Sequence, residues 1–78
     1  MNQRSERNWT DYDAIGVAEG FVAAESPIEE VEAWAYIIEN QLWRELQGWF
    51  GRNAHAIIKT GLIDSSGNID WNLFNEEQ

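Results

Sequence analysis

Few side chains in this chain could carry out catalysis. His55 is the only histidine and there is no cysteine, so a transition-metal centre would need carboxylates alone around one imidazole. The segment Asp64–Asp70 has its glycine at the fourth position, whereas a calcium-binding EF-hand loop needs glycine at the sixth. No nucleophile motif and no phosphate-binding glycine loop occurs. The sequence therefore predicts a non-enzymatic protein with no catalytic residue, cofactor or metal.

Side chains that could bind a partner are more numerous, and the first group is aromatic and cationic: Trp43, Trp49, Phe50 and Arg52. Two large rings at adjacent helical positions cannot both face one core, so at least one ring should be exposed at a protein–protein surface. Gly48 and Gly51 could let a partner backbone approach beside Arg52. The favoured alternative is intramolecular, with another helix packed on these glycines and Arg52 paired with a carboxylate.

The second group of candidate binding residues is acidic. The net charge is −9, and the stretch 8–40 has no basic residue but eight acids: Asp11, Asp13, Glu19, Glu25, Glu29, Glu30, Glu32 and Glu39. Helical spacing predicts that four of them line one outer face: Glu25, Glu29, Glu32 and Glu39. Such a face could imitate a phosphate backbone and occupy a DNA-binding groove on a host protein. The favoured alternative is a solvated surface that keeps the protein soluble.

Charge and hydropathy exclude several classes of partner. Direct binding of nucleic acid is disfavoured, because lysines and arginines must neutralise the phosphates, and anionic membranes are disfavoured for the same reason. No stretch approaches the roughly 18 apolar residues of a membrane span, and Met1–Asn8 lacks the apolar region of a signal peptide. We expect a cytoplasmic protein whose partner is a protein with a basic surface, or a second copy in a homodimer.

These side chains must be positioned by one small domain, residues 1–78, with residues 1–8 and 75–78 expected to be flexible. The hydrophobic spacing predicts an all-α fold, a compact three-helix bundle with a short irregular or hairpin-like C-terminal tail. The first helix is predicted over Thr10–Glu25, capped by Thr10, with Phe21 on its apolar face. Ser26 and Glu29 form a capping box that begins the second helix, with Pro27 at its first position.

A break near Asn40 separates the second helix from a third helical segment, Gln41–Thr60, which Gly61 should end. The alternative is one long helix from Pro27 to about Gln47, a turn at Gly48–Gly51 and a short helix from Arg52. Beyond Gly61, Ser65–Asn68 is a turn signal for a small hairpin, and three apolar side chains could fold back onto the helices: Trp71, Leu73 and Phe74.

The segment Leu42–Ile63, about a quarter of the chain, resembles a segment common in small proteins of tailed bacteriophages whose function is unknown. The shared pattern is Leu-Gln-Gly, two residues with the second aromatic, Gly-Arg-x-Ala, an apolar pair and Gly-Leu. This chain carries it at Leu46–Ala54, Ile57-Ile58 and Gly61-Leu62. Members of the family usually have glycine where Gln41 stands. The resemblance implies a phage accessory protein and carries over no catalytic residue.

Three functions are consistent with these observations. The first is a non-enzymatic phage accessory protein that binds and modulates a host protein, such as a nuclease, a defence complex or a polymerase. The second is a homo-oligomeric structural or virion-associated protein, with Trp43 or Trp49 at a two-fold interface. The third is a helix-turn-helix DNA binder that uses Arg44, Arg52 and Lys59, which the net charge disfavours.

Overall fold

The computed structural model describes residues 8–76, and most of them are helical. The elements in chain order are α1 (Asp11–Glu19), α2 (Pro27–Glu39), a 3₁₀ turn (Leu42–Arg44), α3 (Gly48–Thr60) and α4 (Trp71–Glu76). The predicted all-α class is therefore confirmed. Of the ends expected to be flexible, residues 1–7 and 77–78 lie outside the described residues, and Asn75 and Glu76 belong to α4.

Helix α1 begins where the sequence predicts and ends earlier than predicted. The Thr10 hydroxyl accepts a hydrogen bond from the amide of Asp13 at 3.2 Å. The helix ends at Glu19 and not at Glu25, because Gly20 takes the left-handed conformation with φ 86°. The amide of Phe21 then donates to the carbonyl of Gly16, and the amide of Gly20 donates to that of Val17, at 2.9 and 3.1 Å. This is the Schellman arrangement of a helix C-terminus.

Helix α2 begins at the predicted cap, because the amide of Glu29 donates a hydrogen bond to the Ser26 hydroxyl at 3.4 Å. The return bond differs from the predicted one, since the Glu29 carboxylate accepts from the amide of Glu25. The break near Asn40 is confirmed and the long-helix alternative is wrong. The left-handed residue is Gln41, at φ 55°, and not Asn40.

Helix α3 begins later than predicted, because the 3₁₀ turn and a short loop occupy the residues after Gln41. Gly48 and Gly51 lie in its first turn and do not interrupt it. Gly61 ends the helix as predicted, and its amide donates to the carbonyl of Ile58 at 3.0 Å.

The C-terminal segment is more regular than the predicted tail. An isolated antiparallel bridge joins Ile63 to Ile69 around the predicted turn. The Asp70 carboxylate then accepts from the amide of Leu73 at 3.0 Å, at the start of α4. Phe74 on that helix is buried, so the predicted folding back of this segment onto the helices is confirmed for Phe74. The structure thus adds a fourth helix to the three predicted.

The buried side chains of the described part of the chain form two clusters, and α2 contributes to both. One cluster joins α2 to α3 and the C-terminal segment: Val31, Ala35, Ile38, Ala54, Ile63 and Phe74. The other joins α2 to α1 and the start of α3: Ala14, Val17, Ala33, Ile37 and Phe50. Helix α2 is therefore the central helix, packed on both sides, while Trp34 and Trp43 pack against both clusters.

Candidate functional site

Trp43, one of the predicted binding residues, is half-buried and packs within its own chain. Its ring meets the ring of His55 edge to face, with centroids 4.8 Å apart, and the Arg44 guanidinium lies 5.7 Å from its centroid. A Cβ built on Gly51 would lie 3.4 Å from the indole, an ordinary contact distance, so the indole of Trp43 already lies over this glycine, where a partner backbone was expected to approach. The neighbour of Gly51 is therefore intramolecular, as the favoured alternative expected, but it is Trp43 of the 3₁₀ turn and not another helix.

Trp49 and Phe50 were expected to diverge, and that expectation is wrong. Their rings stack at a centroid distance of 4.0 Å with an interplanar angle of 27°, and Phe50 is only 2% exposed. The indole of Trp34 contacts both rings, at centroid distances of 6.3 Å to Trp49 and 6.0 Å to Phe50. Both adjacent rings therefore belong to one cluster, in which Trp34 packs against each of them. Phe50 is therefore not available as a partner-binding residue.

Arg52, the predicted anchor, is exposed at the start of α3. Its guanidinium folds back over the helix, where a Cβ built on Gly48 would lie 3.1 Å from Nη1. Of the aromatic and cationic group, Arg52 is the member most accessible to a partner.

The predicted acidic face does not form. Glu29 and Glu32 are only 5% and 3% exposed, because α2 is covered on both sides. The indole N–H of Trp9 donates to the Glu32 carboxylate at 3.3 Å, and the Glu29 carboxylate lies against the loop before α2. Only Glu25 and Glu39 of the four predicted residues remain exposed. A row of four carboxylates imitating a phosphate backbone is therefore excluded on this helix.

The exposed rings are ones that the sequence did not single out as partner-binding residues. Tyr12 is 79% exposed and Phe21 is 84% exposed, whereas all five tryptophans are at least partly buried. Phe21 was expected on the apolar face of the first helix, and that prediction is wrong. The two rings flank a pocket of about 320 Å³, which we call the α1 surface and which is lined by Tyr12, Ile15, Gly16, Glu19, Phe21 and Val22.

Gly16 explains why Phe21 points outward. In a Schellman motif the residue after the left-handed glycine commonly packs on the helix one turn back, at the position that Gly16 occupies. Here Val22 takes that place, since a Cβ built on Gly16 would lie 2.5 Å from Val22 Cγ2. Phe21 is left in solvent. The signal in the sequence was Gly20 directly before Phe21, with Gly16 one helical turn earlier. This pair indicates a helix end at which the position one turn back has no side chain.

The α1 surface lies in an acidic environment. Glu19 lines the pocket, and no lysine or arginine occurs anywhere in the stretch 8–40. On the side of α1 towards α2, the Tyr36 hydroxyl donates to the Asp11 carboxylate at 2.7 Å. This hydrogen bond, with the negative charges of Asp11 and Glu39 nearby, raises the pKa of Tyr36 above its ordinary value of 10.0. The bond links α1 to the central helix, beside the buried contacts of Ala14 and Val17.

A second groove, of about 420 Å³, runs between α1, α2 and the C-terminal segment. Its lining residues are apolar except for Glu30, and they include Trp34, Ile57, Leu62 and Phe74. Its side chains belong largely to the two core clusters, so it is a shallow extension of the core.

The described part of the chain holds neither a cluster of metal ligands nor a helix that could span a membrane. No three histidine, cysteine, aspartate or glutamate side chains among residues 8–76 are grouped so that they could hold a metal ion. None of the helices described is both long enough and apolar enough to cross a bilayer. The chain matches no protein-family model, no curated protein sequence and no solved structure.

Proposed function

We propose that this chain is a non-enzymatic accessory protein that binds a protein with a basic surface and modulates its activity. The observation that carries the proposal is the coincidence of two features on one part of the chain. The stretch 8–40 has eight carboxylates and no cation, and the same stretch exposes two large rings, Tyr12 and Phe21. Exposed aromatic side chains anchor protein interfaces, and a field of one sign steers a partner of the opposite sign.

The resemblance of Leu42–Ile63 to small tailed-phage proteins suggests where this binding occurs, namely the cytoplasm of an infected bacterial host. Host enzymes that handle nucleic acid carry basic grooves, because they must neutralise phosphates. An acidic inhibitor of a nuclease, a defence complex or a polymerase is therefore the form of the proposal that fits the charge. Any imitation of nucleic acid would use the exposed Glu25, Glu30 and Glu39 with the acids of α1, and not the buried Glu29 and Glu32.

The two alternatives have less support. A two-fold interface through Trp43 or Trp49 is disfavoured, because both indoles are partly buried against their own chain. Two copies with a net charge of −9 each would also repel one another. A helix-turn-helix reader would rely on Arg44, Arg52 and Lys59, and three cations are few against that net charge.

Affinity capture from a bacterial lysate tests the proposal, with the full chain as bait and mass spectrometry as the readout. We expect retained proteins to be basic and to be released progressively as NaCl is raised. The retained protein is then purified, and its own activity is assayed with and without a saturating amount of the chain. Recovery of no protein at the lowest salt, or a partner whose activity does not change, contradicts the proposal.

A further inference from the structure

We infer that the α1 surface is the docking site, and that its occupant is a cationic amphipathic segment of another protein. An apolar side chain of that segment enters the pocket between Tyr12 and Phe21, and its flanking lysines or arginines face the carboxylates around α1. This inference rests on the proposed function and assigns it a surface and a class of ligand.

The two rings are the first step of the argument. A large aromatic side chain buries about 150–250 Å² when it enters a core or an interface, and that burial is what usually fixes its position. Tyr12 and Phe21 leave most of that surface in water, although the fold buries Phe50 and Phe74. Exposed apolar patches of this kind mark interaction sites, and aromatic anchors at the centre of an interface carry most of the binding energy.

The local backbone supplies the second step. Phe21 is held outward because Val22 already fills the slot at Gly16, and the turn is closed by hydrogen bonds to the carbonyls of Gly16 and Val17. The pocket of about 320 Å³ therefore exists before a partner arrives. A preformed surface binds more tightly than one that must be ordered on contact.

The negative charge around the α1 surface determines which class of ligand can bind there. Glu19 lines the pocket, Asp11 and Glu25 are close to it along the chain, and the stretch 8–40 offers no cation to balance them. A second copy docked here would bring the same carboxylates together, and like charges facing each other across an interface disfavour association. An anionic lipid surface is excluded by the same field. A segment with lysines or arginines beside an apolar residue satisfies both the rings and the carboxylates.

The test uses a synthetic amphipathic helix made only of leucine and lysine, titrated into the full chain by calorimetry at low NaCl. The control peptide has the same composition in an order that leaves no apolar face. We expect the amphipathic peptide to bind the more tightly, and Phe21→Ala to raise its Kd about tenfold or more. Phe21 is exposed, so this variant should keep the circular-dichroism spectrum of the parent.

A matched pair of charge variants distinguishes the contribution of the α1 surface to peptide binding from that of the net charge of the whole protein. Glu19→Gln and Glu45→Gln remove the same charge from exposed positions, and only Glu19 lines the pocket. Glu19→Gln should raise the Kd several-fold more than Glu45→Gln.

Each contrary outcome overturns either the inference or the proposed function, and the two can be told apart. No binding of the amphipathic peptide, or equal binding of both peptides, removes the cationic amphipathic occupant. Unchanged affinity in Phe21→Ala removes the α1 surface, while a basic partner captured from lysate would still support the proposed function. A dimer in analytical ultracentrifugation that Phe21→Ala abolishes assigns the surface to a second copy. Capture of no basic protein, with peptide binding intact, contradicts the proposed function alone.

Discussion

Gln41 holds the left-handed conformation that ends the α2 segment, with φ 55° and ψ 32°. Left-handed geometry costs a residue with a side chain roughly 1–2 kcal/mol, and glycine avoids that cost. The side chain recovers little of this cost, because the hydrogen bond that its Oε1 accepts from Arg44 Nη1, at 3.0 Å, is exposed to solvent. Glycine also loses more conformational entropy on folding, by roughly 0.4–1 kcal/mol. We expect Gln41→Gly to raise the free energy of unfolding by about 0.5 kcal/mol in urea denaturation followed by tryptophan fluorescence.

The control for this prediction is Gln41→Ala, which keeps the strain and removes the bond to Arg44. It should be no more stable than the parent. If Gln41→Gly proves less stable than Gln41→Ala, the left-handed strain at this position is refuted.

Gly16 offers a second test at the same scale, because two opposing effects meet there. In an open helix, replacing glycine by alanine gains about 1 kcal/mol. At Gly16 the new Cβ would lie 2.5 Å from Val22 Cγ2 and 3.3 Å from Val22 Cβ, and such overpacking costs roughly 1–3 kcal/mol. We expect Gly16→Ala to lower the thermal midpoint by several degrees, corresponding to a net loss of about 1 kcal/mol.

Gly48→Ala is the matched substitution, since its new Cβ would meet only the mobile end of the Arg52 side chain. That variant should be neutral or slightly stabilised. Thermal midpoints that fall by the same amount in both variants would show that Val22 does not occupy the Gly16 slot.

The residues that the sequence could place are those whose chemistry is local. Thr10, Ser26 and Gly61 cap helices as predicted, because a cap needs only the hydrogen-bonding groups of the next few residues. The exposure of Phe21 was not predictable in the same way. It depends on a competition between Phe21 and Val22 for one slot, and the apolar character of both residues predicts burial for each.

Helices α1 and α2 are joined by one bond that depends on pH. The Tyr36 hydroxyl donates to Asp11, and this bond raises the pKa of Tyr36 above 10.0. A folded-state pKa above the unfolded value means that the contribution to stability is complete below pH 10.0 and disappears as the pH rises through the raised pKa. We expect the stability advantage of the parent over Tyr36→Phe to vanish at alkaline pH.

Urea midpoints measured from pH 8 to pH 11.5 would provide that comparison. The difference in stability between the parent and Tyr36→Phe cancels the titration of every other group, since the two proteins differ only in the hydroxyl. A stability difference that stays constant over this range would show that the Tyr36–Asp11 bond does not hold the two helices together.

The turn after α3 packs against the C-terminal end of α2, and Gly67 is the point of contact. Gly67 and Gly20 have nearly equal φ values, 88° and 86°, but a Cβ built on Gly20 meets nothing within 4 Å. A Cβ on Gly67 would lie 2.5 Å from Glu39 Cβ and 2.9 Å from the carbonyl oxygen of Ala35, which cannot move without the helix. Both alanine variants lose roughly 1 kcal/mol to left-handed strain.

Gly67→Ala should therefore lose about 2 kcal/mol more than Gly20→Ala in urea denaturation, from the additional clash with α2. Because the pair shares the backbone strain, the difference isolates the contact between the turn and α2. Equal losses would mean that the turn does not pack there.

At the level of elements, the sequence predicted helices with strong local signals and not those that depend on packing. Ser26 and Pro27 begin α2 as predicted, and the break near Asn40 is present. Helix α4 has only six residues, too few to be stable on local propensity, and the burial of Phe74 holds it in place. The sequence predicted too long an α1 because Val22 continues the helical spacing of apolar residues beyond Gly20, where the left-handed backbone ends the helix.

For the whole molecule, ten aromatic rings in 78 residues predicted that some rings would remain exposed. The sequence did not predict which rings these are. The prediction assumed one core, which would have left a tryptophan outside. With α2 packed on both sides, two clusters exist, and Trp34 and Trp43 contribute to both. The two exposed rings are Tyr12 and Phe21 on the α1 surface. The candidate binding site therefore lies on α1 and not on α3, where the sequence predicted it.

The net charge of −9 makes salt act in opposite directions on folding and on binding. The radius of gyration is 11.6 Å, so a Debye length of about 30 Å at 0.01 M salt lets carboxylates repel one another across the entire molecule. At 0.1 M the Debye length is about 10 Å, and most of that repulsion is screened. Raising NaCl over this range should increase the free energy of unfolding, because the folded state concentrates the charge more than the unfolded chain does.

The same screening removes the attraction between the acidic surface and a basic partner, so the Kd of the leucine–lysine peptide should rise as NaCl is added. Urea midpoints and calorimetric affinities measured at the same series of NaCl concentrations would give the salt dependence of both stability and peptide binding. The double variant Glu45→Gln with Glu76→Gln removes two negative charges at exposed positions that do not line the α1 surface. In this variant the free energy of unfolding should depend less steeply on NaCl. If stability falls with NaCl, cation–carboxylate attraction dominates the fold, and the unbalanced acidic field on which docking depends does not exist.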